Sequence, residues 1–343
     1  MVTGIILGIL LSIGVTVLIS LFSAGREILS VLQMVKKDRL LFAALMYTIS
    51  IILDALRTKL LSKVAKTKIK YPKCVENTLL GLYTSAITPF SMGGQPFQIY
   101  HLFKMGMSLE SASMVVGIKF ITSFTTTLGL VFFFLLLYGK KLISTTASSL
   151  IIYGGMVLTV SMYMFFLLLI LNKDLTHRIF TSKFMVKILS IILRKRKEQV
   201  LQKAVQSVSK YFELINQLWK QSKKTVFLNI VITLGEIFLV HTVPYVVATS
   251  LSSLRISYPQ FFGAIITMTV VVYFVPTPGS SGGVEAAFYM MFRNMCSPAV
   301  VSATILLWRF LTFHLVILIG TILLSKTIYE IKSRVQSKET NQT

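Results

Sequence analysis

A chain of 343 residues that is 54% hydrophobic and 14% charged, with mean hydropathy +0.76, cannot keep a water-facing surface of that composition, which excludes a soluble globular domain. The formal charge of +23 is not spread along the chain: seven cations stand in residues 57–73 with no acid among them, and thirteen against three acids in 172–224. Basic blocks between apolar runs fit cytoplasmic loops lying against anionic headgroups rather than a nucleic-acid groove, so no nucleic-acid partner is expected.

In chain order, apolar segments fall at about 3–22, 40–56, 74–88, 108–138, 149–171, 225–250, 258–276 and 299–325. The first has no basic region before it and no small-residue cleavage site, and it reads as a retained helix rather than a signal peptide. Two shorter stretches, 95–106 and 284–294, cannot cross about 30 Å of hydrocarbon at 1.5 Å per residue and read as re-entrant half-helices. The expected fold is therefore all-α and polytopic, with about eight transmembrane helices plus two half-helices in one domain over 1–325 and a cytoplasmic tail at 326–343. Cys74 and Cys296 have neither a disulfide framework nor metal-ligand spacing. No nucleotide loop or Ser/His/Asp order is present, and neither cofactor nor metal is expected.

The half-helices follow a repeated phrase. Residues 88–94 read TPFSMGG and residues 277–283 read TPGSSGG, and a basic tetrad follows each, Lys119-Phe-Ile-Thr and Arg309-Phe-Leu-Thr. Placing the basic blocks inside makes the first hairpin enter from the cytoplasm and the second from outside, which is an inverted repeat suited to alternating access. The same placement leaves 25 cations inside, eight outside and two, Lys119 and Arg309, within the membrane. The largest soluble piece, 172–224, contains Arg194-Lys-Arg-Lys with Phe212, Leu218 and Trp219 nearby. It reads either as amphipathic helices on the inner leaflet or as a solvated loop that sets topology.

Each TPxSxGG stops one helix at Pro and releases another after the glycines, leaving backbone amides near the bilayer middle. Gly93, Gly94, Gly282 and Gly283 either let a phosphate approach those amides or serve a tightly packed break with no ligand. Lys119 and Arg309 lie about 15 Å into their helices, near the midplane, where a lone cation costs about 2.5–3.5 kcal/mol and marks a functional candidate. The alternative is mutual neutralisation with Glu285 or Glu236. Gln95, Gln98 and Tyr100 open the first half-helix and offer hydrogen bonds to headgroup oxygens, while Glu285 opens the second. Asp54 and Arg57 share a helix face at i, i+3 and are expected to pair near the inner interface. His241 and His314 read as core histidines or proton carriers.

TPFSMGGQPFQIY at 88–100 and PTPGSSGGVE at 276–285 resemble the paired motifs of the lysylphosphatidylglycerol synthase transmembrane-region family, also called the flippase-like domain family. The resemblance covers about 4–325. The GGQPxQ form with Lys119 is similar to a subgroup typical of Gram-positive bacteria, whereas other members carry Glu and Arg where this chain has Gln95 and Gln98. The resemblance implies a multi-pass protein of the bacterial cell membrane that binds or moves a phospholipid or lipid-linked headgroup, with a separate lipid-modifying enzyme as a partner. Bifunctional members add a cytosolic acyltransferase domain, and the resemblance, confined to the membrane domain, leads us to expect none here. Phosphatidylglycerol lysyltransferase activity and an envelope-assembly scaffold are the alternative readings.

Overall fold

The computed structural model describes residues 14, 27–142, 146–182, 209–220, 222–252, 256–272, 275–293 and 296–340. Every regular element among them is helical. In chain order these are α1 (Glu27–Gln33), α2 (Lys37–Val64), α3 (Tyr71–Ile87), α4 (Gly94–Lys104), α5 (Leu109–Leu142), α6 (Thr146–Leu171), α7 (Lys173–Thr181) and α8 (209–220). There follow α9 (Lys223–Leu251), α10 (Tyr258–Val272), α11 (Gly283–Phe292), α12 (Pro298–Arg309), a π-turn at Phe310–His314, and α13 (Leu315–Thr340).

The repeat is larger than its motifs. Helix starts at 37, 71, 94 and 109 recur at 223, 258, 283 and 298, so α2, α3, α4 and α5 correspond to α9, α10, α11 and the α12–α13 span. The copies run in opposite directions: Lys36 N–H donates to Ser250 O at 2.9 Å and Arg39 Nη1 to Thr249 O at 2.6 Å, while Arg57 further along α2 meets Asn229 near the start of α9. The copies also interlock. Helix α3 packs on α13, where Tyr83 fills the space beside Gly320 and Thr327 Oγ1 donates to Glu76 Oε1 at 2.9 Å. Correspondingly α10 packs on α5, where the Phe134 and Phe262 ring centroids are 5.3 Å apart.

Among the described residues, four helical spans are long and apolar enough to cross a bilayer: α2, α5 over Leu109–Gly139, α9, and Pro298–Thr327 through the π-turn. On α2 an outward stripe of Leu41, Leu45, Ile49, Ile52 and Leu56 is exposed, while Ala43, Met46, Ser50 and Arg57 are buried, the inversion expected of a lipid-facing helix with a polar interior. Two of the expected spans take another form. Segments 74–88 and 258–276 become helices of 17 and 15 residues, about 25 and 22 Å long, and each is one arm of a hairpin closed by α4 or α11. The first apolar run, apart from Gly14, and the Arg194-Lys-Arg-Lys block lie outside the described residues. Of the 172–224 segment, α8 buries Ile215 and Leu218 against Leu61, Met107 and Val115, so this helix rests on the protein itself. Trp219 stays exposed.

Candidate functional site

Three features stand at the centre of the molecule: the touching hairpin tips and two buried sets of charge. In both motifs Pro follows the end of the first arm, and the third and fourth motif residues turn the chain through left-handed backbone, Phe90 and Ser91 with φ +54° in one copy and Gly279 and Ser280 with φ +57° and +54° in the other. Thr88 Oγ1 accepts from Gly93 N–H at 2.9 Å and donates to Thr84 O at 2.7 Å, capping the first break. The two tips meet across the pseudo-symmetry axis. Pro89 and Pro278 form an antiparallel bridge, and Gly279 N–H donates to Thr88 O at 3.3 Å.

The motif glycines serve that close packing. A Cβ on Gly94 would strike the Ser85 hydroxyl and the Gly81 carbonyl, one on Gly93 would strike Thr88, and one on Gly283 would strike Val275. Gly282 sits at φ +87°, and its N–H donates to Glu285 Oε2 at 2.7 Å. Gln95 is exposed at the start of α4. Gln98 lies against Gly81 and accepts from Asn77 Nδ2 through its backbone carbonyl at 3.0 Å, and the half-exposed Tyr100 ring lies 5.6 Å from Lys104 Nζ.

Arg309 belongs to the second copy alone. Its Nε lies 2.7 Å from Oε1 of Glu285, which is 0% exposed, but the N–H does not aim at the oxygen and neither atom gains an aligned hydrogen bond. Arg309 Nη2 donates to Ser281 Oγ at 3.1 Å, and the guanidinium stands 4.0 Å over the Phe313 ring. Phe313 lies in the π-turn that follows Arg309, and Tyr47 of α2 donates to Thr312 O of the same turn at 3.0 Å. This pair is the mutual neutralisation weighed from the sequence.

Lys119 does not pair with Glu285 or Glu236. It is 5% exposed, and its Nζ donates to Asp54 Oδ2 and to Thr58 Oγ1, both at 2.7 Å. Asp54 also accepts from Thr78 at 2.6 Å and lies 3.5 Å from Arg57. Arg57, 1% exposed, is the hub of the set: it donates to Glu236 Oε2 at 2.7 Å, Asn229 Oδ1 at 3.1 Å, Lys119 O at 2.7 Å, Thr122 Oγ1 at 2.9 Å and Ser123 Oγ at 2.8 Å. The Asp54 and Arg57 pair expected at the inner interface is therefore part of a buried group that joins α2 and α5 of the first copy to α9 of the second. Two cations face two carboxylates, so the excess positive charge expected from Lys119 is compensated on site. The Lys119 ammonium turns to Asp54 and Thr58 rather than to Gly93 or Gly94. The sequence reading passed over Arg57, Asn229 and Thr122 as site residues, although an ionisable residue within an apolar run was the available signal for Arg57.

His241 hydrogen-bonds Ile237 O and Thr269 Oγ1, as a core histidine does. Among the described residues no cluster of His, Cys, Asp and Glu suits a metal.

A family model described as the lysylphosphatidylglycerol synthase transmembrane region matches residues 5–320. The chain belongs to that family. It is also similar to an UPF0104 membrane protein of Archaeoglobus fulgidus, 25% identical over 341 residues that cover 95% of this chain and 98% of the relative.

Proposed function

We propose that this protein binds an anionic phospholipid or lipid-linked headgroup between its two copies and moves it across the membrane. The observation that supports this reading is the antiparallel pair of copies whose broken hairpins touch tip to tip, flanked by buried cations. Two such copies exchange roles when the molecule rocks about its centre, which is how inverted repeats deliver alternating access. Along α2, Tyr47, which touches the turn after Arg309, stands about 10–15 Å by helical rise from Asp54 and Arg57, so one helix runs past both charge sets.

In this reading Lys119 and Arg309 are the phosphate contacts. Both begin paired, so the headgroup must compete with Asp54 and Glu285, and the gain in binding is limited to the difference between the two partners. Gln95, Gln98 and Tyr100 would receive the headgroup at the exposed first half-helix, and Gly93, Gly94, Gly282 and Gly283 would keep the path narrow. The family description supports lipid as the substrate class.

The test is translocation of fluorescent phosphatidylglycerol in vesicles containing the purified protein. Wild type should speed translocation over empty vesicles. Lys119→Ala and Arg309→Ala should each abolish the gain, and Lys119→Arg should retain part of it. Wild-type rates in both alanine variants would place the site elsewhere.

A further inference from the structure

The buried set around Arg57 contains one acid that is held differently from the other. Asp54 faces two cations and accepts hydrogen bonds from Lys119 and Thr78. Glu236 has one charged partner, Arg57 Nη1 at 2.7 Å on Oε2, while its Oε1 accepts no hydrogen bond among the described residues and its side chain is 21% exposed. Arg57 in turn keeps Asn229, Lys119 O, Thr122, Ser123 and the nearby Asp54 if Glu236 loses its charge. Neutralising Glu236 therefore costs the set less than neutralising Asp54 would.

The charged groups facing Glu236 are Asp54 and Arg57 of α2 and Lys119 of α5. Of the other helices packed on α9, α10 has no Asp, Glu, Lys, Arg or His, and the one charged residue of α12, Arg309, is engaged by Glu285. The set is neutral as it stands, with two carboxylates against two cations. A proton placed on Glu236 Oε1 leaves one positive charge in excess, centred on an arginine that cannot release its own proton. An anion that then docks on Lys119, in the same set, restores neutrality.

The geometry points to Glu236 as a proton-coupling site: the protein takes up one proton on Glu236 for each anionic headgroup that Lys119, in the same charge set, binds. This rests on the lipid reading above and names what drives it. Coupling of this kind is reciprocal, so a bound anion favours the proton and a bound proton favours the anion. Headgroup affinity rises as pH falls, by up to about tenfold per pH unit while Glu236 is deprotonated in the empty protein. The proton comes from water at the exposed edge of Glu236 and returns there when the headgroup leaves.

Calorimetric titration of the solubilised protein with short-chain phosphatidylglycerol, in two buffers of different ionisation enthalpy, counts the protons directly. Wild type should take up about one proton per lipid bound. Glu236→Gln, which keeps the shape and an oxygen for Arg57, should bind with no net proton uptake and with an affinity that no longer changes with pH. Wild-type binding without proton uptake overturns the coupling alone, and this arm needs no variant to fold. Full proton uptake in folded Glu236→Gln overturns the assignment to Glu236. No binding of phosphatidylglycerol by wild type overturns the lipid reading and the coupling with it. Inorganic phosphate serves as a second titrant, and equal proton uptake with it would overturn the lipid as the source of the anion.

Discussion

In the second copy the half-helix carries its own anion: Glu285 caps Gly282, faces Arg309 and is wholly buried, with Ser280 and Ser281 buried beside it. In the first copy Pro96 stands where the second has Glu285, the start of α4 carries the uncharged Gln95, and Phe90, Met92, Gln95 and Tyr100 are exposed. Lys119, the counterpart of Arg309, finds no acid on its own half-helix and reaches across to Asp54 of α2. One duplicated plan has thus given one closed tip and one open tip. A cation near the midplane is tolerated only beside an acid, but which helix supplies that acid is free to differ between copies. The packing of the hairpins differs in the same sense. The first is tied to α13 by the polar Glu76 and Thr327 contact, the second to α5 by tilted aromatic rings.

The largest effect should come from breaking the closed copy. Glu285→Ala leaves Arg309 buried without a counter-ion and should cost about 3–5 kcal/mol, read as a fall in thermal unfolding temperature in detergent. Gln95→Ala, one residue before the position that matches Glu285, should change stability by less than about 0.5 kcal/mol, because it is exposed. Equal losses in the two variants would remove the asymmetry.

A double-mutant cycle on Lys119 and Asp54 asks whether the cross-helix pair replaces the missing acid. Lys119→Met alone should destabilise by about 2–4 kcal/mol, and adding Asp54→Leu should recover more than half of that, since an apolar pair of similar volume leaves no unpaired charge. Additive losses would show that the 2.7 Å contact does not couple the two residues.

Accessibility gives a graded comparison of the tips. In a background with Cys74 and Cys296 replaced by alanine, Ser91→Cys should react with a small water-soluble thiol reagent several-fold faster than Ser281→Cys, which is buried. The two should also react from opposite faces of sealed vesicles. Labelling of both from one face would contradict opposed hairpins.

The smallest effect concerns the turn itself. Phe90 holds φ +54° where the other copy has Gly279, and this half-exposed ring has little packing to lose. Phe90→Gly should therefore be neutral to stabilising by up to about 1 kcal/mol. Gly279→Ala should destabilise, because its Cβ would strike Phe313 and the Ala86 carbonyl. Denaturation of both variants in the same detergent checks the contrast.

Hydropathy, the doubled TPxSxGG and the basic blocks determined by themselves that this is an all-α membrane protein with two broken hairpins, because a bilayer admits few backbone solutions and Pro and Gly mark where a helix must stop. The half-helices expected at 95–106 and 284–294 are α4 and α11 within a few residues. The local i, i+3 pairing of Asp54 with Arg57 was legible in the same way, since helix periodicity alone brings them to one face. The partners of Lys119 and Glu236 were not. Each ion pair there joins residues 65 to 179 positions apart, and sequence spacing has no bearing on which of several acids a buried cation meets once four helices have packed. Hydropathy alone placed α3 and α10 among the apolar segments, and the Pro and Gly of the doubled motif marked where the chain turns back after each. The choice of ion-pair partners belongs to packing, where the requirement that every buried charge find a counter-charge selects among folds that the sequence pattern leaves equally open.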